Sequence, residues 1–147
     1  MEKDKFFVKK KKVNKWGIIL LKESMICLVI IISLLFGDYF TQNYTKNVIN
    51  KLSNELIGLR EEIIKDDNNE IAKEKISDIY KTWKDSHDKL AYFIEHDELE
   101  KVENDLTSLN SYIETNENVE AVNELDKCEF ILKHIEDKYA FNLQNIF

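Results

Sequence analysis

The chain has 147 residues, enough for one membrane anchor and one domain but too few for two sizeable hydrophobic cores. Proline is absent and there are only three glycines, so residues that interrupt helices are rare. Residues 1–37 contain eight lysines and three carboxylates, so their net charge is +5. Because the whole chain carries −7, residues 38–147 carry −12. An acidic part of this size is repelled by nucleic acid and by anionic lipid, so we expect no nucleic-acid partner.

An apolar segment follows the lysine-rich start of the chain. Residues 24–37, SMICLVIIISLLFG, contain no charge, and interfacial aromatic residues such as Tyr39 and Phe40 lengthen the segment toward the ~20 residues that a span needs. We predict a basic cytoplasmic tail over residues 1–23, a transmembrane anchor helix over residues 24–41 and an extracytoplasmic acidic helical-bundle domain over residues 42–147. The orientation follows because lysines close to a span stay on the cytoplasmic side of the cell membrane.

Other interpretations of this segment are a cleaved signal peptide, an acylated Cys27 and a soluble core helix. No pair of small residues suitable for cleavage closes the apolar run, and 23 residues is long for a signal-peptide n-region. Ile26 is bulky for the residue before an acylated cysteine, and a lysine cluster beside an apolar run is unusual for a core helix. The sequence therefore favours an uncleaved single-pass anchor.

Four segments behind the anchor have apolar residues at helical spacing, each forming one stripe. The first stripe comprises Ile49, Leu52, Leu56, Leu59 and Ile63. The second comprises Ala72, Ile76, Ile79, Tyr80, Trp83, His87, Leu90, Ala91 and Ile94. The third comprises Leu99, Val102, Leu106, Leu109 and Ile113. The fourth comprises Val122, Leu125, Cys128, Leu132 and Ile135, before a less regular end with Phe141, Leu143, Ile146 and Phe147.

Polar breaks separate the stripes. We predict turns at Asp66–Asn69 and Thr115–Asn118, a second helix that stops at His96, and a third that Asp97 caps in a capping box with Glu100. Four apolar stripes joined by short connections predict an all-α fold, in which the transmembrane helix continues into an antiparallel three- to four-helix bundle. A long coiled-coil dimer is the competing fold, and the breaks disfavour it.

No motif predicts a catalytic, cofactor-binding or metal site. The three histidines, His87, His96 and His134, lack a spacing that places two on one helix face. Trp83, Tyr80 and Tyr92 are expected in or near the core rather than around a ligand. Cys128 lies on an apolar stripe beside Glu124 and Glu129, which raise a thiol pKa, so we expect no nucleophile. Asn43 begins a glycosylation triplet that would lie against the membrane.

The chain resembles the domain of unknown function 4363 (DUF4363), a family of small bacterial membrane proteins. The resemblance rests on the anchor with its long helix, Trp83, Leu90, the run from Phe93 to Leu99 and the closing Asn145-Ile146-Phe147. It implies no established activity or cofactor. It also implies a role beside other small membrane proteins.

Three classes of function remain after these observations. The first is a non-enzymatic interaction module, anchored in the lipid bilayer and docked onto another membrane protein or onto itself. The alternative is an extracytoplasmic bundle that senses a small ligand or metal, with Trp83, Tyr80, His87 and His96 bordering a pocket. An enzyme is the least favoured class, because no catalytic constellation is present.

Overall fold

The computed structural model describes the backbone of residues 2–65 and 69–139, with side chains from residue 17 onward in these ranges. Four helices account for it: α1 (Glu2–Lys65), α2 (Glu70–Leu90), α3 (His96–Glu114) and α4 (Asn118–Tyr139), with no strand among the described residues. The chain divides into two compact units, Met1–Phe40 and Thr41–Phe147. The all-α prediction is confirmed.

The core of the second unit is made by the predicted apolar stripes. In α1 all five predicted stripe residues are at most 3% exposed, and Thr45 and Val48 extend the buried face toward the start of the unit. The α3 stripe is buried as predicted. In α4 Ala121 is buried in place of Val122, which is half-buried, because a helix that begins at Asn118 turns position 121 toward the core.

Hydrogen bonds between neighbouring helices define the bundle. Lys75 of α2 donates to the Gly58 carbonyl of α1 at 3.0 Å, and Tyr80 of α2 contacts Thr107 of α3 at 2.6 Å between hydroxyl oxygens. Helices α3 and α4 pack along each other. Asn118 of α4 then donates to the α1 carbonyl of residue 63 at 3.1 Å, which completes the ring. The predicted bundle is confirmed, with four helices around one core.

The connection between α2 and α3 differs from the prediction. Helix α2 ends at Leu90 rather than His96, because Ile94 turns into the core at 5% exposure and Glu95 adopts an extended conformation with φ −60° and ψ 135°. Glu95, not Asp97, is the N-cap residue of α3, and its side chain makes no capping hydrogen bond. His96 is therefore the first residue of α3, and the predicted capping box is wrong.

The opposite end of the bundle holds the other two connections. Asn69, fully buried, takes the left-handed conformation with φ 54° that asparagine tolerates, and its side-chain amide donates to Asn118 at 2.6 Å. Asn116 takes the same conformation between α3 and α4, where the turn predicted over residues 115–118 is confirmed. The rest of the predicted 66–69 turn lies outside the described residues, as do the apolar residues of the 140–147 segment and the side chains of residues 1–16 in the lysine-rich tail.

Candidate functional site

Trp83, Tyr80 and His87 lie together on α2, but they fill the edge of the core. Trp83 is 1% exposed, and its indole N–H donates to a carboxylate oxygen of Glu103 on α3. The imidazole of His87 meets the indole edge-on, with ring centroids 5.6 Å apart. Burial raises the pKa of the Tyr80 phenol, whose hydroxyl is held by Thr107. The arrangement supplies packing and hydrogen bonds between α2 and α3.

The fourth residue of the sensing hypothesis, His96, stands on the surface. Its side chain is 74% exposed, and Nε2 lies 3.0 Å from a carboxylate oxygen of Glu100 one helical turn away. The expectation that Tyr92 lies in or near the core is wrong: it is 89% exposed, because it lies in the turn before α3 rather than on a buried helix face. Within residues 17–65 and 69–139 no group of three His, Cys, Asp or Glu side chains is placed to hold a metal ion.

A buried carboxylate that sequence reasoning missed lies where α3 begins beside the end of α4. Glu98 is 5% exposed, and its Oε1 accepts a hydrogen bond from Lys138 Nζ at 2.8 Å, with His134 Nε2 at 3.5 Å. The same lysine lies 3.0 Å from Glu95, whose backbone N–H donates to the hydroxyl of Tyr139 at 2.9 Å. The hydrogen bond that Lys138 donates to Glu98, followed by the one that it donates to Glu95, raises the pKa of Lys138. These contacts fasten α4 to the start of α3.

The signal for this cluster is present in the sequence only as spacing. Glu95 and Glu98 are three residues apart at the start of α3, and His134 and Lys138 are four apart on one face of α4. Which carboxylate meets which cation depends on the register between α3 and α4. Spacing along one helix does not supply that register.

Cys128 is a core residue. It is fully buried, and burial raises the pKa of its thiol to about 12, with Asp105 and Glu129 adding to the shift. The direction agrees with the prediction, although burial is the main cause, and Glu124 lies against Lys127 at 2.6 Å instead. A thiol that stays protonated at neutral pH is a poor nucleophile.

Two grooves on the bundle surface open to solvent. The first, of about 420 Å³, runs between α3 and α4 and is lined by Lys101, Asp105, Asp126, Lys127, Phe130 and Ile131. The second, of about 280 Å³, runs between α1 and α2 and is lined by Asn54, Glu55, Gly58, Lys75, Asp78 and Ile79. Charged side chains of both signs border each groove, and they provide no convergent set of donors around an enclosed space.

The exposed side of α1 within the second unit has an unusual composition. Besides the exposed Lys46, Lys51 and Lys65, it presents a stripe that we call the outer face of α1, which comprises Asn43, Asn47, Asn50, Asn54, Ile57, Glu61 and Ile64. These exposed residues recur at alternating spacings of four and three, and six of the seven carry no charge. The exposed side of α2 is instead dominated by charged residues, among them Glu70, Glu74, Asp78, Lys81, Lys84, Asp85 and Asp88. Sequence reasoning assigned α1 a core stripe and did not single out this second stripe.

The first unit contributes the apolar segment. Within the described part of the chain, Gly17–Lys65 is one helix long and apolar enough to cross a membrane, and none of its most apolar window is buried. Large apolar side chains between Ile18 and Phe40 are exposed by 39% to 70%. Length and composition thus allow this helix to serve as a membrane anchor.

Comparison with known proteins identifies one family. A family model described as "Domain of unknown function (DUF4363)" matches residues 39–146. No curated protein and no solved structure matches the chain. The matched region covers the bundle unit almost entirely and includes the outer face of α1. Because the match spans well over half of the sequence, the chain belongs to the DUF4363 family.

Proposed function

We propose that this protein is a non-enzymatic interaction module, held in the cell membrane by α1, that docks onto another membrane protein as an accessory partner. The lysine-rich N-terminus stays in the cytoplasm, residues 24–41 cross the bilayer, and the bundle lies on the extracytoplasmic side. The outer face of α1, from Asn43 to Ile64, carries this proposal, because Glu61 is its one charged residue.

The outer face of α1 suits a second helix because of its spacing and chemistry. Positions that alternate at four and three form the seam of a two-stranded coiled coil, where apolar residues such as Ile57 and Ile64 pack and an Asn can hydrogen-bond across the interface, specifying register at a cost in stability. Helix α1 continues without a break from the anchor segment. The matching partner is therefore a helix that leaves the same membrane in a parallel direction.

Charge next to the outer face of α1 favours a different protein over a second copy. In a parallel pair, the residue before one seam position faces the residue after the next seam position of the partner helix. Two copies would place Lys46 opposite Lys51, and like charges at such positions are unfavourable. The partner helix should instead present carboxylates beside its seam.

Co-purification tests this function. Full-length protein is extracted gently from membranes, and its bound proteins are compared with those of Asn54→Lys/Ile57→Lys, which places two charges in the outer face of α1. The control, Ile71→Lys/Ser77→Lys, places the same charges on exposed positions of α2. We expect one membrane protein to remain with the wild type and the control, and to be lost from the first variant.

A chain that is extracted alone in all three forms would contradict the docking role. A partner retained equally by all three would contradict the assignment to α1. Thermal unfolding of each variant checks that the bundle is intact. A melting temperature of the wild type that rises with Zn²⁺ or small anions would support ligand sensing instead.

A further inference from the structure

The turn between α2 and α3 lies at the end of the bundle where α1 enters it. Phe93 of this turn meets Tyr44 edge-on, with ring centroids 6.2 Å apart, and the Lys89 amine lies 5.9 Å from the centre of the Tyr44 ring. Tyr44 follows Thr41, the last residue of the proposed anchor, by three residues, or ~4.5 Å of helix. Along α1, the residue that this turn contacts therefore lies within one helical turn of the end of the proposed anchor.

Tyr92 is a highly exposed aromatic side chain of this turn. It is 89% exposed, whereas Phe93 beside it packs against the core. A tyrosine combines an apolar ring with a hydroxyl that needs a polar partner, and membrane proteins are enriched in tyrosine at the lipid–water interface for that reason. Lys89 adds an ammonium group on a long apolar stem, which suits the same layer.

The described chain also ends at this side of the bundle. Tyr139 is held there by the backbone N–H of Glu95, at 2.9 Å.

Charge identifies the kind of lipid. The part of the chain from residue 38 onward carries −12, and Glu95 and Asp97 flank the turn. Anionic headgroups would be repelled, whereas a zwitterionic headgroup offers a phosphate to Lys89 and an ammonium group to the carboxylates.

We propose that the α2–α3 turn, with Tyr92 at its tip, inserts into the zwitterionic headgroup layer of the leaflet from which α1 emerges. The bundle would then rest on the membrane at two points, the helix α1 and the turn. This second contact would fix the direction in which the outer face of α1 points. The inference rests on the membrane anchor of the proposed function.

Lipid quenching of a fluorophore tests this contact. Full-length Cys27→Ser protein is given one new cysteine, labelled with a thiol-reactive NBD group, and placed in phosphatidylcholine vesicles with or without headgroup-spin-labelled phosphatidylcholine. The positions are Ala91→Cys in the turn, Phe40→Cys at the end of the anchor and Val119→Cys at the opposite end of the bundle. Residue 119 lies beside Asn118, which contacts Ile63, ~28 Å along α1 from Tyr44. Cys128 is buried, so the parent protein should take up no label.

We expect quenching at residue 91 to be comparable to that at residue 40 and several-fold greater than at residue 119. Adding Tyr92→Ser to the Ala91→Cys protein should lower quenching at residue 91 toward the level at residue 119. Strong quenching at residue 40 with residues 91 and 119 equally weak would overturn the turn contact and leave the anchor standing. Unchanged quenching in the Tyr92→Ser protein would overturn the role of Tyr92. Absence of quenching at residue 40 would refute the anchor, and the turn contact with it.

Discussion

Two parts of one helix, α1, show how the same backbone serves two surroundings. Large apolar side chains between Ile18 and Phe40 are exposed by 39% to 70%, whereas the predicted stripe from Ile49 to Ile63 is at most 3% exposed. The upstream part is apolar on all sides, and the downstream part has a buried stripe opposite a polar one. Helix propensity does not distinguish them. The pattern of side chains around the axis determines whether lipid or protein must cover each part.

The largest expected effect is on membrane attachment, which we expect the upstream part of α1 to provide and the downstream part not to provide. The double substitution Ile30→Lys/Ile31→Lys places two ammonium groups in the middle of the apolar segment, which disfavours insertion by roughly 6 kcal/mol. We expect the protein to be lost from carbonate-washed membranes, measured by immunoblotting of the pellet. Ile64→Lys, downstream on the same helix, should leave attachment unchanged. Equal retention of both variants would show that the apolar segment is not the anchor.

A second substitution tests the other part of the contrast through stability. Leu106→Ala removes a side chain that is 1% exposed in the bundle core, and it should lower the free energy of unfolding by about 3 kcal/mol. Far-UV circular dichroism of the full chain in micelles, followed through urea unfolding, measures the change. The control is Leu34→Ala, which should have little effect on this transition because the Leu34 side chain is 68% exposed. A similar loss in both variants would mean that the bundle core does not determine the transition.

A third prediction concerns alkaline pH. The folded pKa of Cys128 is about 12, raised from 9.0 by burial, so the folded state holds the thiol proton more tightly than the unfolded state. The stabilisation is complete below pH 9 and falls as pH rises toward the folded pKa, by at most about 1.4 kcal/mol per pH unit. Urea unfolding on both sides of this range should therefore show a smaller pH dependence for Cys128→Ala than for the wild type. The same slope in both proteins would exclude the thiol as its source.

The smallest expected effect concerns the contact between α1 and α4. Arg60, the only arginine of the sequence, donates to Asp126 and lies 3.4 Å from Glu129. Arg60→Lys loses the guanidinium Nη2 that contacts both carboxylates, which should cost about 1 kcal/mol or less in unfolding free energy. Lys65→Ala, removing a more exposed pair with Glu61, should cost less. A larger loss for Lys65→Ala would reverse the ranking of the two contacts.

Much of the fold was predictable, because periodic apolar residues report directly on burial. The stripes of α1 and α3 were identified residue by residue, and the polar cluster at residues 115–118 marked a true connection. The end of α2 was not predictable from the same signal. Ala91 and Ile94 continue the helical spacing, yet Ala91 is exposed and Ile94 reaches the core from a turn. Apolar spacing alone does not distinguish a helix that continues to Ile94 from a turn that places Ile94 in the core.

The candidate surfaces were less predictable for a related reason. The outer face of α1 is visible in the sequence as a second stripe, but asparagines do not register in a search for apolar spacing. The pairing of Glu98 with Lys138 joins residues 40 apart in sequence and depends on the register between two helices. The sequence gives Tyr92 no feature that separates it from the buried aromatic residues, and only the turn before α3 accounts for its exposure.

The most direct test of the central claim is the side of the membrane on which the bundle lies. A dual reporter, with an alkaline phosphatase domain active only outside the cytoplasm and a β-galactosidase fragment active only inside it, is fused behind Phe147. The proposed topology predicts phosphatase activity without β-galactosidase activity, with the fusion retained in washed membranes. β-Galactosidase activity alone, or a full-length fusion that washes off membranes, would contradict it.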